Sequence, residues 1–171
     1  TTSLPEIIGG ARNWDYRYCW LRDSSFTLDA LTKIGHFDEA EAFLEWLTKI
    51  CSRSRKDLQI VYRVDREKAL REKILPHLNG YKNSRPVRIG NHAYIQKQLD
   101  IYGWLIESFY LFYLHYNYTE LELKHWKVVQ KLVNSVINQW QEKDSGLWEF
   151  RSFNDHFTFS KLMCWVAMDR G

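Results

Sequence analysis

The residues most able to do chemistry lie in one stretch, Asn13-Trp14-Asp15-Tyr16-Arg17-Tyr18-Cys19-Trp20-Leu21-Arg22-Asp23. It packs four aromatics, two arginines and two carboxylates into eleven residues. Flat aromatic faces suit the C–H faces of a ring ligand, and a guanidinium beside a carboxylate grips neighbouring hydroxyls through charge-assisted hydrogen bonds. A sugar asks for both. The same composition also builds a loop clamped by an Arg–Asp pair for packing alone, and composition leaves the two readings level.

A second candidate is Glu149, set between Trp148 and Phe150 in a segment that reads as a loop. Apolar neighbours desolvate a carboxyl, raise its pKa and keep it protonated near neutral pH. A general acid that protonates a glycosidic oxygen must be poised in this way. From spacing alone, an ion pair to Arg151 or a solvated loop glutamate is the stronger reading.

Several motifs occur in one order: Leu4-Pro5-Glu6, Gly9-Gly10, the Asn13–Asp23 run, Leu75 to Tyr81 (LPHLNGY), Arg85 to Asn91 (RPVRIGN), Gly146 to Arg151 (GLWEFR) and Ser160 to Ala167 (SKLMCWVA). Together they resemble the bacterial branch of glycoside hydrolase family fifteen, the glucoamylase and trehalase-like enzymes. The resemblance runs over essentially the whole chain. It implies hydrolysis of α-linked glucosides, of the maltodextrin or trehalose class, from the non-reducing end with inversion. By resemblance the Leu-Trp-Glu motif makes Glu149 the general acid, with Trp148 beside it at the substrate. Trp20, Arg22 and Asp23 match a Trp-x-Arg-Asp motif that holds the terminal glucose, and Arg88 and Asn91 are further candidates for binding, level with a structural role. Asp15 and Arg17 are expected to brace the loop as a second layer, and Asp100 on the third helix to support Arg88 and Asn91. Where the family has an acidic residue after Tyr-Gly, this chain has Trp104, so no role carries over there. An inverting hydrolase needs a second carboxylate as base; no residue here matches the family's motif for it.

The elements that must position these groups read as helices. Asp23 or Ser24 is expected to cap a first helix whose Phe26, Ala30 and Ile34 share a face, with Gly35 as its stop. A second starts near Asp38, with Ala40, Phe43, Leu44, Leu47 and Ile50 at helical spacing. Residues from about Ser52 to Asn91 form a long excursion with room for a short strand pair. A third helix is expected from His92, carrying Ile95, Leu99, Tyr102, Ile106, Phe109 and Tyr113. Thr119-x-x-Glu122 reads as a capping box for a fourth, with Trp126, Val129, Val133, Val136 and Trp140 on its face. A fifth starts around Thr158, apolar nearly all round and so expected to be buried. Each motif-bearing loop precedes the first helix of a pair, so parallel first helices would bring all three loops to one end. The fold expected is all-α: a single segment, residues 1–171, giving about two and a half helical hairpins of the six in an (α/α)6 toroid, its amino-terminal part.

Composition narrows the alternatives. With 171 residues, 45% hydrophobic and 26% charged, the chain can bury a core and is not disordered. A net charge of +3 with interleaved signs gives no stripe to neutralise phosphates, so nucleic acid is not expected as a partner. Cys19, Cys51 and Cys164 form no disulfide or zinc pattern and read as reduced thiols of a cytoplasmic protein. The histidines lack metal-ligand spacing, and no metal or cofactor is expected. No apolar run approaches the ~20 residues that span a bilayer. A first residue of Thr points to an excerpt. Two rivals remain: a helical fragment that binds sugar or a completing chain without turnover, self-associating through an unclosed edge, and an α-solenoid scaffold.

Overall fold

The computed structural model describes residues 3–53, 58–115 and 121–171. Among them are five α-helices: α1 (Leu21–Lys33), α2 (Phe37–Arg53), α3 (Asp100–His115), α4 (Leu123–Gln139) and α5 (Thr158–Arg170). Two antiparallel pairs of two-residue strands and two short 3₁₀ turns accompany them. β1 (Cys19–Trp20) pairs with β2 (Val61–Tyr62), Trp20 opposite Val61, and β3 (Lys73–Ile74) pairs with β4 (Arg88–Ile89), Ile74 opposite Arg88. The all-α expectation holds, and the long excursion carries the short strand pair allowed for it.

The middle of the molecule is α3, which packs against each of the other four helices. Its sequence is apolar on most sides, as a helix enclosed by others must be, and Leu105, Ile106, Phe109 and Phe112 are all buried. Gly103 sets the distance to α5: a Cβ there would lie 2.4 Å from the Met163 carbonyl oxygen. The two backbones touch, which only glycine permits.

The first helix begins one turn earlier than its sequence suggested. Trp20, not Asp23 or Ser24, is the N-cap, and both polar residues sit inside the first turn. Its buried face is Leu21, Ser25, Leu28 and Thr32, while Phe26 and Ile34 are exposed. Ser25 tolerates burial because its hydroxyl donates to Leu21 O at 3.0 Å, so a small polar residue can sit where apolar spacing pointed elsewhere. Phe26 turns instead onto Trp104, ring centroids 4.0 Å apart. On α2 the expected face is largely the observed one, with Ala40, Leu44, Leu47 and Ile50 buried.

The third helix starts eight residues later than expected. Asn91 caps a short 3₁₀ turn, His92–Ile95, by accepting from Ala93 N at 3.0 Å, and Gln96 is extended. Leu99 N then donates to the buried Asp144 carboxylate at 2.8 Å, and Lys97 O accepts from Ser145 N. These backbone groups serve a loop rather than a helix, so Ile95 is exposed. In α4 the buried face is His125, Val128, Val129, Leu132 and Val136, with Trp126 and Trp140 exposed. Thr119 lies outside the described residues; Glu122 is the N-cap itself, without a side-chain cap bond. The fifth helix is not enclosed. Met163, Cys164 and Ala167 are buried, but Trp165 is 60% exposed and Leu162 and Met168 also face outward.

Candidate active site

The N-terminus of α1, the residues ahead of α3 and the loop ahead of α5 meet at one open cleft of about 1100 Å³. Its lining includes Tyr16, Trp20, Arg22, Asp23, Trp148 and Glu149. Of the residues singled out by sequence, Asn91 also reaches this cleft, and Arg88 does not line it.

Glu149 is held at the centre. Its Oε1 accepts a hydrogen bond from the Trp20 indole Nε1 at 2.7 Å and lies 3.5 Å from Arg22 Nη2. Arg22 Nη2 is also 3.6 Å from Asp23, whose side chain is mostly exposed to the cleft. The other guanidinium nitrogen is committed inward, donating to Gln98 Oε1 at 2.6 Å and Asp100 Oδ2 at 3.4 Å. Burial pushes the Asp100 carboxyl above its ordinary pKa, against the opposing pull of Arg22.

The loop that carries Glu149 is a tight turn. Gly146 and Glu149 both have left-handed backbones, at φ 65° and 56°, and for a non-glycine residue this conformation costs about 1 kcal/mol. A Cβ at Gly146 would meet the Phe157 ring at 2.8 Å, so glycine is needed twice over. Glu149 N donates to Gly146 O and Phe150 N to Ser145 O. Phe150 stacks on Phe153 and Phe157, at 4.7 and 5.6 Å. Trp148 is 80% exposed and lines the cleft. The apolar shell expected around Glu149 is not what holds its carboxyl: Trp148 is largely exposed, Phe150 is engaged with other rings, and the polar contacts come from Trp20 and Arg22. Arg151 pairs with Glu72 at 3.0 Å, not with Glu149.

Behind the cleft, Asp15 is fully buried and accepts from Arg17 Nε and Nη2 at 2.8 and 2.7 Å, from Tyr18 OH at 3.0 Å and from Gly90 N at 3.0 Å. Burial alone would raise its pKa, but these donors together bring it down to about 2. Arg88 serves this same framework. It donates to Ala11 O and Asn13 O, both at 2.9 Å, and pairs with Glu72 at 3.1 Å. Asn91 spends its amide on Asp15 O and its oxygen on Ala93 N.

Three polar residues here carry no motif in the sequence. Gln98 anchors Arg22 and donates onward to Gln96 Oε1 at 3.3 Å. Gln96 Nε2 in turn donates to Glu149 O at 3.1 Å. Glu72 gathers Arg88 and Arg151. A readable signal does exist for the cleft wall: Trp14, Tyr16, Tyr18 and Trp20 fall at every second position, the spacing that sends extended side chains one way, and all four line the cleft.

A family model described as glycosyl hydrolases family 15 matches residues 1–171, the whole chain. The chain belongs to that family. Among its relatives, the trehalase of Mycolicibacterium smegmatis is 47% identical over 175 residues, covering all of this chain and 26% of that protein. The Mycobacterium tuberculosis trehalase is also 47% identical, with 25% of its length covered. Trehalase 1 of Sulfolobus acidocaldarius is 42% identical over 171 residues, 99% of this chain and 31% of the relative. This family 15 chain thus spans about a quarter to a third of the length of these curated relatives. No solved structure matches it significantly. Among the described residues no helix is long and apolar enough to cross a membrane, and no three His, Cys, Asp or Glu side chains gather as a metal site.

Proposed function

We propose that residues 1–171 form the amino-terminal part of an (α/α)6 catalytic domain that hydrolyses an α-linked glucoside with inversion. That these relatives are trehalases favours trehalose over maltodextrin as substrate. Glu149 is the general acid. Trp20 supplies an apolar wall and orients the acid through its indole N–H, while Arg22 and Asp23 bind hydroxyls of the non-reducing glucose and Trp148 forms part of the rim. The base that activates water comes from outside this segment. The observation that carries the reading is the Glu149 carboxylate in an open cleft, 2.7 Å from the Trp20 indole and 3.5 Å from Arg22. This arrangement sets a carboxyl group beside an aromatic and charged wall suited to a sugar.

The chemistry follows from that geometry. A glucose ring lying against Trp20 places its glycosidic oxygen toward Glu149, which protonates it as the bond breaks, and water enters from the opposite face to give the inverted anomer. Three unpaired cysteines, two of them buried, support a reducing cytoplasmic setting. The exposed Trp165, Leu162 and Met168 on α5 favour a second contact, with a completing part of the enzyme or another copy.

The test is Glu149→Gln in the complete protein. Removing the acid is expected to lower kcat on trehalose by roughly 10²- to 10⁴-fold, while calorimetry still detects sugar binding. Turnover unchanged from the parent would exclude Glu149 as the acid.

A further inference from the structure

The loop bearing Glu149 runs between α4 and α5 and carries two left-handed residues, and side-chain tethers to other segments help to place it. One tether is Gln96, on the carbonyl of Glu149. Another leaves through Arg151, two residues past the acid. Arg151 stacks over the Trp14 ring, its Cζ 4.1 Å from the centroid, and its Nη2 lies 3.0 Å from Glu72 Oε2. Arg88 also stands over Trp14, at 4.9 Å, and its Nε meets Glu72 Oε1 at 3.1 Å. His92 N donates to Glu72 Oε2 at 3.2 Å. One carboxylate therefore joins the acid loop, the Trp14 entry segment and the residues after β4.

We propose that Glu72 is a positioning residue for the general acid: through Arg151 and Trp14 it fixes the Glu149 loop against the cleft wall. The assignment rests on the reading of Glu149 as the acid. Glu72 is well suited to it because all its partners are donors. Two guanidinium groups and a backbone N–H need the acceptor capacity of a charged carboxylate. Burial raises its pKa, but Arg151 and Arg88 win and hold it below the usual glutamate range, so the clamp stays charged where an enzyme works. A glutamine of the same shape offers one acceptor oxygen and turns an NH₂ toward a guanidinium. The loop then loses one of its tethers, and the acid drifts from the 2.6–3.2 Å reach that proton transfer requires. Ring binding by Trp20, Arg22 and Asp23, which stand at the start of α1, is left in place.

The test compares two substrates of the complete protein. Trehalose leaves as a sugar that needs a proton; α-glucosyl fluoride leaves as fluoride and needs none. For Glu72→Gln, kcat on trehalose should fall roughly 10- to 100-fold, with KM and the turnover of the fluoride within about threefold of the parent. Arg151→Lys, which keeps the charge but not the fork or the stack, should show the same selective loss to a smaller degree, and decides the matter if the first variant does not accumulate. Equal losses on both substrates, a change in KM alone, or no loss on trehalose would overturn the proposal. Glu149→Gln run alongside separates the two claims. If it loses trehalose and keeps the fluoride, the Glu72 result judges Glu72 alone. If it keeps trehalose, the acid assignment fails and the positioning role falls with it.

Discussion

On one wall of the cleft Trp20, Arg22 and Asp23 issue from the start of α1, whose buried face packs on α3; on the other, Glu149 hangs from a turn between α4 and α5. The first wall is stiff because an element and a buried polar network hold it: Arg22 is tied to Gln98 and Asp100, and Asp15 to Arg17, Tyr18 and Gly90. The second is placed by a left-handed backbone, a stack of phenylalanines and side-chain tethers. Groups that bind a ring gain from standing on a rigid element. A group that passes a proton must reach the oxygen, and a loop lets it stand further out.

The comparison breaks first at Arg22. Arg22→Met removes the cation from a pocket where Asp100 and Gln98 have turned inward, and stranding such a buried charge costs about 3–5 kcal/mol. Denaturant unfolding of the complete protein should show that loss as a lower midpoint. A change below 1 kcal/mol would mean that the α1 wall is not held by this network.

Acid sharpens the same contrast at Asp15. Its pKa is about 2 when folded against an ordinary 3.8, so its contribution is complete above 3.8 and is lost as pH falls through about 2. Tryptophan fluorescence across that window should report loosening of the Trp14–Trp20 segment, and Asp15→Asn should flatten the response. An unaltered titration in the variant would assign the transition elsewhere.

The smallest effect on stability belongs to Asp23, whose side chain is 67% exposed. Asp23→Ala should leave stability within about 0.5 kcal/mol, yet weaken sugar binding measured by calorimetry. A stable variant with unweakened binding would remove Asp23 from the clamp.

Much of this was legible in the sequence, and the failures have physical causes. Helical spacing located the core face of α2 because its apolar residues recur without interruption. It misplaced the face of α1 because Ser25 and Thr32 occupy buried positions, and a serine satisfied by its own helix carries no apolar signal. The start of α3 was read too early because Asn91 caps a short turn that looks like a helix N-terminus, while the Asp144 carboxylate, far along the chain, captures the Leu99 N–H. Trp20, Arg22, Asp23 and Glu149 stood out because their types and order carry a motif. Gln96, Gln98 and Glu72 did not, since each acts through contacts to distant residues and none has a spacing partner. Neighbours in sequence also misled at Glu149: Trp148 is left largely exposed and Phe150 stacks on Phe153 and Phe157, while the carboxyl is held by Trp20 and Arg22 from far along the chain.

The most direct test of the account is proton NMR of the glucose first released from trehalose by the complete protein, recorded before mutarotation. Attack by water opposite Glu149 inverts one anomeric carbon and leaves the other untouched, so the account predicts α- and β-glucose in equal amounts. Initial release of α-glucose alone would mean retention, and would contradict an acid at Glu149 working with a distant base.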